Sequence, residues 1–286
     1  MDLSVIIVNW RTKDYLNHCL QSVRENPPSA DYEVIVVDNA SGDGSTEMVS
    51  GEFPAVKLIS NSRNRGYAEG NNQGMEASTG DYLLLLNPDT EVKPGAVDAL
   101  LRFGREHANA AAVGCRLIGP DGKVQNSCRS FPEPLPILFE YTKLSRLAPA
   151  SKTLGAYRMT YFTYDKDSEV DQPMASCLLL SRKAVDDVGM FDTDFPIFFN
   201  DVDWCYRARK NSWKIYFTAS AEVLHHGGAG TSLARPEMVA ESHKSLIRFY
   251  NKYYTRRFSR PFLVLFKWAV MSSSFILSRK ASHAGK

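Results

Sequence analysis

Three stretches near the start of the chain, LSVIIVNW (3–10), EVIVVDN (33–39) and DYLLLL (81–86), carry continuous apolar cores with no polar residue alternating through them. A strand with one wet face alternates, whereas a strand buried on both faces reads as an unbroken apolar run, the habit of parallel sheets covered by helices. The intervening segments supply those helices. Leu16, Leu20 and Val23 recur at helical spacing, and GYAEGNNQGMEAS (66–78) is a helix interrupted by glycines. Pro94 suits the first turn of a helix running to about His107. VKLIS (56–60) is a further, shorter strand. Strand–helix alternation at this pitch predicts an α/β fold with a mostly parallel central sheet flanked by helices. Two of the runs end in acids, Asp38 and Asp89. In open α/β sheets, ligands bind at that carboxyl end of the strands.

Composition and charge narrow the function classes. With 286 residues, 44% hydrophobic and 23% charged, the chain has ample core for one large or two small domains. Its five cysteines are widely spaced and form no CxxC, which argues against a zinc ribbon or disulfide framework and for a reducing cytosol. MDLSVIIVNW lacks the basic start of a signal peptide, so a cytoplasmic location is expected. The net charge of +2 is unevenly spread. From Ser242 to Lys286 there are ten Lys/Arg and no Asp/Glu; the rest holds the other 24 basic and all 32 acidic residues, a net of −8. An acidic body with a basic tail does not suit a nucleic-acid binder.

Beyond residue 110, AAVGCRLIGPDGKVQNSCRS predicts two strands around a Pro-Asp-Gly turn. Residues 129–171 are aromatic, proline-containing and weakly patterned, as in a variable loop region forming a substrate-facing wall. MASCLLLSR (174–182) is a strand, followed by a short helix. Val202, Cys205 and Tyr206 share one side of a second helix, and KIYFTASAEVLHHGG ends a last strand in two histidines. The expected organisation is a domain over 1–235, with a nucleotide-binding half (about 1–110) and an acceptor-binding half (111–235), then a basic amphipathic helical region at 236–286.

Several constellations can carry chemistry. Asp38 and Asp89 offer hard oxygen to Mg²⁺ or Mn²⁺, or they cap the helices that follow. A phosphate loop of the form GxxxxGK[ST] is absent, and VNWRTKDY stands where a GxGxxG would follow the first strand. In FFNDVDW, Asp201 and Asp203 sit near a helix start, where the dipole favours acids. The apolar FPIFF before them would raise a carboxylate's pKa and make it a better base. In LHHGG an imidazole is a candidate metal ligand.

Taken in order, SVIIVNW, VIVVDNASGDGS, NRGYAEGNNQG, GDYLLLLNPDT, GMFDTDFPIFFNDVDWCYRARK and HHGG resemble glycosyltransferase family 2, in particular its rhamnosyltransferase-type branch, over roughly residues 3–230. The resemblance implies a GT-A fold and a metal-dependent inverting transfer from a nucleotide-sugar donor, dTDP-rhamnose by preference, to a glycan or polyprenyl-linked acceptor. It implies nucleotide contacts at Asn9, Asp38, Gly66, Asn71, Asn87 and Asp89. NPD would stand for the family's DxD, with Asn87 in its first place and Asp89 on a divalent Mg or Mn. His225 would complete that site, with His226 in reserve, and Asp201 would be the general base. Three departures from the pattern stand out: the DxD is reduced to one acid, Asn200 stands where Glu usually precedes the base, and Ala175-Ser176 where many relatives have Gly-Ala. The competing readings are a sugar-phosphate nucleotidylyltransferase, which would want a Gly-rich first loop, and a catalytically silent membrane-associated sugar-binding or scaffold protein.

The tail needs its own account. Phe262–Leu277 is apolar for 16 residues but contains Lys267, and a spanning helix needs about 20. It fits an interfacial helix on an anionic inner leaflet, with Arg256, Arg257 and Arg260 at the headgroups and Phe262, Phe266 and Trp268 below them. The alternative is a helix packed on the body or on a second subunit. The first would make the enzyme peripheral to the inner face of the cell membrane.

Overall fold

The leucine run is a central strand. In the computed structural model, which describes residues 1–228, 235–255 and 266, Leu83 to Leu86 are wholly buried. The elements before and including it are β1 (Leu3–Asn9), α1 (Lys13–Glu25), β2 (Tyr32–Asp38), α2 (Ser45–Glu52), β3 (Lys57–Ser60), α3 (Tyr67–Ala77) and β4 (Tyr82–Leu86). These strands lie in the order β3-β2-β1-β4, all parallel. Leu84 and Leu86 enter the core under α1 and Leu83 and Leu85 the opposite core, so neither face alternates with water. On the first face α1 presents Leu16, Cys19, Leu20 and Val23. On the other, α3 lies close to β1 because it carries Gly70 and Gly74. A Cβ at those positions would fall 2.7 Å from Val8 and 2.3 Å from Ile6. Two glycines cost a helix about 2 kcal/mol, which the close approach of helix to strand offsets.

The second half continues the same sheet with changed direction. It comprises β5 (Thr90–Val92), α4 (Ala96–Glu106), β6 (Ala110–Ile118), β7 (Cys128–Arg129), α5 (Pro134–Tyr141), β8 (Ser168–Glu169), β9 (Gln172–Pro173), β10 (Cys177–Ser181), α6 (Arg182–Val188), α7 (Asn200–Lys210), β11 (Lys214–His225) and α8 (Arg235–Tyr253). The sheet runs on as β4-β10-β6-β11-β5, with β8 on β11, giving nine strands among the described residues. β10 is antiparallel to both of its neighbours, whereas β6 and β11 are parallel. The resulting molecule is mixed α/β, a central sheet flanked by helices.

Three local expectations change. The Pro-Asp-Gly turn is present, but its return strand shrinks to one bridge, Ile118 with Val124, before the chain leaves to pair β7 with β9. Residues 129–171 are not wholly irregular: PLPILFEY forms α5, its first turn set by Pro134, followed by a 3₁₀ turn at Leu144–Arg146. Pro94 lies just ahead of its helix, and Gly95, at φ +72°, takes the N-cap of α4. Among the described residues no helix is long and apolar enough to cross a membrane. The expected interfacial helix falls outside the described residues apart from Phe266, whose ring stacks on Tyr250 with centroids 4.2 Å apart.

Candidate functional site

The strand ends open on a cavity of ≈ 370 Å³. Of the residues singled out in the sequence, Gly66, Asn87, Asp89, Asp201 and His225 line it, as do Ala175, Ser176 and Asn200 at the positions that depart from the family pattern. Asn9, Asp38 and Asn71 are buried behind that lining. The carboxylate of Asp38 accepts hydrogen bonds from Asn9 Nδ2 (2.8 Å), Ser41 Oγ (2.6 Å) and the Ser41 N–H (3.0 Å). It therefore ties the ends of β1 and β2 together, where register pairs Asn9 with Asp38. Asn71 donates to the Tyr67 carbonyl within α3. Asn39, next to Asp38, does reach the cavity; it donates to the Gly66 carbonyl at 3.0 Å and accepts from Asn61 at 2.9 Å.

The buried strand β4 meets its acid through a tight turn. The Thr90 N–H donates back to the Asn87 carbonyl, with Pro88 at the position whose φ proline presets. Asp89 is thereby turned into the cavity, and β5 starts at once. β5 pairs with β11 in a register that sets Thr90 against His225. The sheet itself brings His225 Nε2 to 3.6 Å from Asp89 Oδ1. Gln125 grips the other side of that ring, accepting from Nδ1 at 2.7 Å and donating to the His225 carbonyl at 2.8 Å. The proton is thus held on Nδ1 and the Nε2 lone pair faces Asp89. Burial lowers the His225 pKa, which keeps the imidazole neutral. His226 is engaged elsewhere, 2.7 Å from Glu91.

The donor set fits a hard divalent cation. Asn87 Oδ1 is buried and has no hydrogen-bond partner among the described residues, an atom that a cation would satisfy. With Asp89 and the Nε2 of His225 it offers two oxygens and one imidazole, leaving the remaining positions to phosphate oxygens and water. Among the described residues no three His, Cys, Asp or Glu side chains cluster to form an all-protein cage.

Asp201 occupies the second turn-forming position of α7, whose N-cap is Phe199 in the left-handed region at φ +70°. Its Oδ2 accepts from Gln172 Nε2 (2.9 Å) and the Ala175 N–H (3.3 Å), and its Oδ1 from the Val202 N–H (2.8 Å). Burial raises its pKa, against the pull of these donors. The apolar lead-in forms a wall of Ile197, Phe198 and Phe199, facing Trp10 and Tyr67. This loop is locked to α3, because the Pro196 carbonyl accepts from the Tyr67 and Ala68 N–H groups at 2.7 and 3.0 Å. That approach requires glycine at 66, since a Cβ there would sit 2.8 Å from the same oxygen and φ is +87°.

Asp203 belongs to a different task. It is 0% exposed and accepts from Arg207 Nε (2.8 Å), Lys252 Nζ (2.7 Å) and Tyr253 OH (2.6 Å), pinning α8 to α7. Asn200 is likewise structural, donating to the carbonyls of Phe195 (3.2 Å) and Ile197 (2.9 Å). Sequence reading missed Gln172, Gln125 and Met238, which lie in no motif and reach the site only through their place in the fold; Trp10 ends the SVIIVNW motif, yet its place in the lining went unread.

Comparison with known proteins gives this geometry a context. The family model described as glycosyl transferase family 2 matches residues 4–188. An N-acetylglucosaminyl-diphospho-decaprenol L-rhamnosyltransferase of Mycobacterium tuberculosis is 30% identical over 261 residues, 86% of this chain and 83% of that protein. The low-salt glycan biosynthesis hexosyltransferase Agl10 of Haloferax volcanii is 24% identical over 229 residues, 79% of this chain and 67% of its own. In fold the chain resembles the mannosyltransferase PcManGT of Pyrobaculum calidifontis in complex with GDP-Man and Mn²⁺, at TM-score 0.60 and 16% identity over 99% of this chain and 75% of that one. It also resembles residues 1–349 of S. aureus TarS, at TM-score 0.56 and 18% identity over 91% of this chain and 73% of that one. The fold is that of GT-A glycosyltransferases.

Proposed function

The chain belongs to glycosyl transferase family 2, and from that premise we propose that it moves L-rhamnose from a dTDP-linked donor onto a hydroxyl of a lipid-linked glycan, inverting the anomeric centre, with Asp201 as general base. One observation carries the reading: a single cavity is lined by the Asn87, Asp89 and His225 donor set and by a carboxylate whose pKa burial has raised. Diphosphate and acceptor chemistry therefore meet in one space.

Asp201 takes the proton of the acceptor hydroxyl as its oxygen attacks the anomeric carbon. The bond from that carbon to the diphosphate oxygen breaks on the opposite face, which inverts the centre with no covalent intermediate. Asn87, Asp89 and His225 would hold a Mg²⁺ or Mn²⁺, which supplies charge neutralisation to the leaving diphosphate. Asn39 and Gly66 form the floor for the nucleotide, with Asp38 and Asn9 fixing that floor from behind. The apolar wall of Ile197, Phe198 and Trp10 excludes water that would compete with the acceptor. The acceptor class follows that of the mycobacterial relative, an N-acetylglucosaminyl-diphospho-decaprenol L-rhamnosyltransferase. Asn200, the residue that would most encourage a catalytically silent protein, has a structural use and leaves Asp201 in place.

The test is nucleoside diphosphate release from a panel of sugar nucleotides with Mg²⁺ or Mn²⁺. Release is expected from dTDP-rhamnose, abolished by chelator, and reduced about 10²- to 10⁴-fold in Asp201→Asn. Turnover that persists in Asp201→Asn would remove the base assignment.

A further inference from the structure

Segment 134–152 has a surface that the chemistry above does not use. α5 buries Pro134 and Ile137 and exposes Leu135 (54%) and Leu138 (48%), one helical turn apart. The 3₁₀ turn that follows repeats the pattern with Leu144 and Leu147, the latter 78% exposed. At i and i+3 of a 3₁₀ turn, side chains eclipse, so these two leucines point the same way. Glu140 holds the two pieces together, accepting from Ser145 Oγ at 3.1 Å and Arg158 Nε at 2.5 Å. Four exposed leucines within thirteen residues are more than scattered surface apolarity.

We propose that this face docks on an anionic lipid surface. Cations outnumber acids around the leucines: Lys143, Arg146 and Lys152 are exposed, and among the described residues none makes an ion pair, while of the two acids at α5 Glu140 is matched by Arg158 and Glu133 stands at the N-cap. Leucines ringed by cations fit acyl chains below and anionic headgroups above. The inner side of the same helix supplies continuity. Ile137 and Tyr141 pack in one aromatic cluster with Phe199, which lines the cavity, and with Tyr250, Tyr254 and Phe266, from which the basic tail departs. Membrane face, cavity wall, α8 and Phe266 thus share one layer of side chains. The inference rests on the lipid-linked acceptor reading for its purpose, since a polyprenyl substrate would be met at the surface that holds it.

The five native cysteines are buried, so a single introduced surface cysteine in the full chain can be labelled alone. Leu138→Cys and Leu147→Cys, each carrying an environment-sensitive fluorophore, would be mixed with phosphatidylglycerol-containing vesicles and with phosphatidylcholine vesicles; Ser50→Cys on α2 is the control. A blue shift at 138 and 147 with the anionic vesicles, and none at 50, is expected. Replacing Leu138 and Leu147 together by Ser should weaken vesicle binding about tenfold or more. That variant should leave nucleoside diphosphate release in solution unchanged, so a failure of the surface and a failure of the transferase reading are distinguishable. Protein that pellets with vesicles but shows no shift at either position would assign binding to the tail alone and overturn the proposal. A shift that grows with protein concentration in the absence of vesicles would identify a second copy as the occupant and overturn it equally, as would no binding to anionic vesicles.

Discussion

Asp201 and Asp203 stand one residue apart on the first turn of α7, and what surrounds them divides their work. Asp203 is enclosed by Arg207, Lys252 and Tyr253, whereas Asp201 meets only uncharged donors and an apolar wall. A carboxylate with no cation beside it keeps the raised pKa that burial imposes. Among the described residues Gln172 is the one side chain that offsets this, by donating to Oδ2. Removing it as Gln172→Leu should push the Asp201 pKa further up and misplace the carboxylate. The acid limb of kcat/KM against pH should move to higher pH, and turnover should fall about ten- to hundredfold at neutral pH, the worth of a hydrogen bond to a charged group. A pH–rate profile that falls in height without moving its limb would show Gln172 to be structural only. The sign for stability is separate. The folded chain binds the Asp201 proton more tightly than the unfolded chain does. That contribution is present at pH below the ordinary carboxylate value and is lost as pH rises through the raised one. Asp89 and Asp201 were legible in the sequence because strand ends and helix starts announce themselves locally. Gln172 was not, for it acts across a gap of 29 residues that no periodicity spans.

At the scale of elements, the parallel half of the sheet was legible because burial on both faces leaves an unbroken apolar run. The antiparallel insertion of β10 was not, since CLLLS is equally apolar whichever way it runs. α5 escaped notice for a related reason. Its two exposed leucines blur the apolar face that periodicity looks for. α8 shows how a single polar residue can seat an element. Its aromatic face packs on Phe195, Phe199 and Val202, but Lys252 and Tyr253 also converge on buried Asp203. Asp203→Ala strands those donors. Lys252 and Arg207 retain some access to water, so the loss should sit at the lower end for a broken buried pair, about 3 kcal/mol. That corresponds to a fall in Tm of roughly 5 °C for a chain of this size. Hydrogen exchange should rise in α8, whose Lys252 and Tyr253 bind Asp203, before it rises in the central strands β1 and β4. Unchanged exchange in α8 would mean that aromatic packing alone seats the helix.

Across the whole molecule, charge is arranged end to end rather than spread. Residues up to 241 carry a net −8, and the final 45 residues carry ten cations and no acid. A uniformly anionic vesicle repels the acidic bulk of the first part and attracts the cationic tail and the Lys143, Arg146 and Lys152 side chains beside α5, so adsorption should occur in one orientation, tail and α5 face toward lipid. Two predictions about the same equilibrium separate the forces. Deleting residues 256–286 removes seven Lys/Arg and should weaken binding to phosphatidylglycerol vesicles strongly, while leaving nucleotide binding intact. Raising ionic strength from about 0.1 to 1 M shortens the Debye length from about 10 to 3 Å and should suppress binding of the full chain to a similar degree. What survives high salt is then the apolar share, and it should depend on Leu138 and Leu147. Vesicle binding indifferent to salt would mean that insertion, not charge, dominates, and the polarity of the chain would have no part in orienting it.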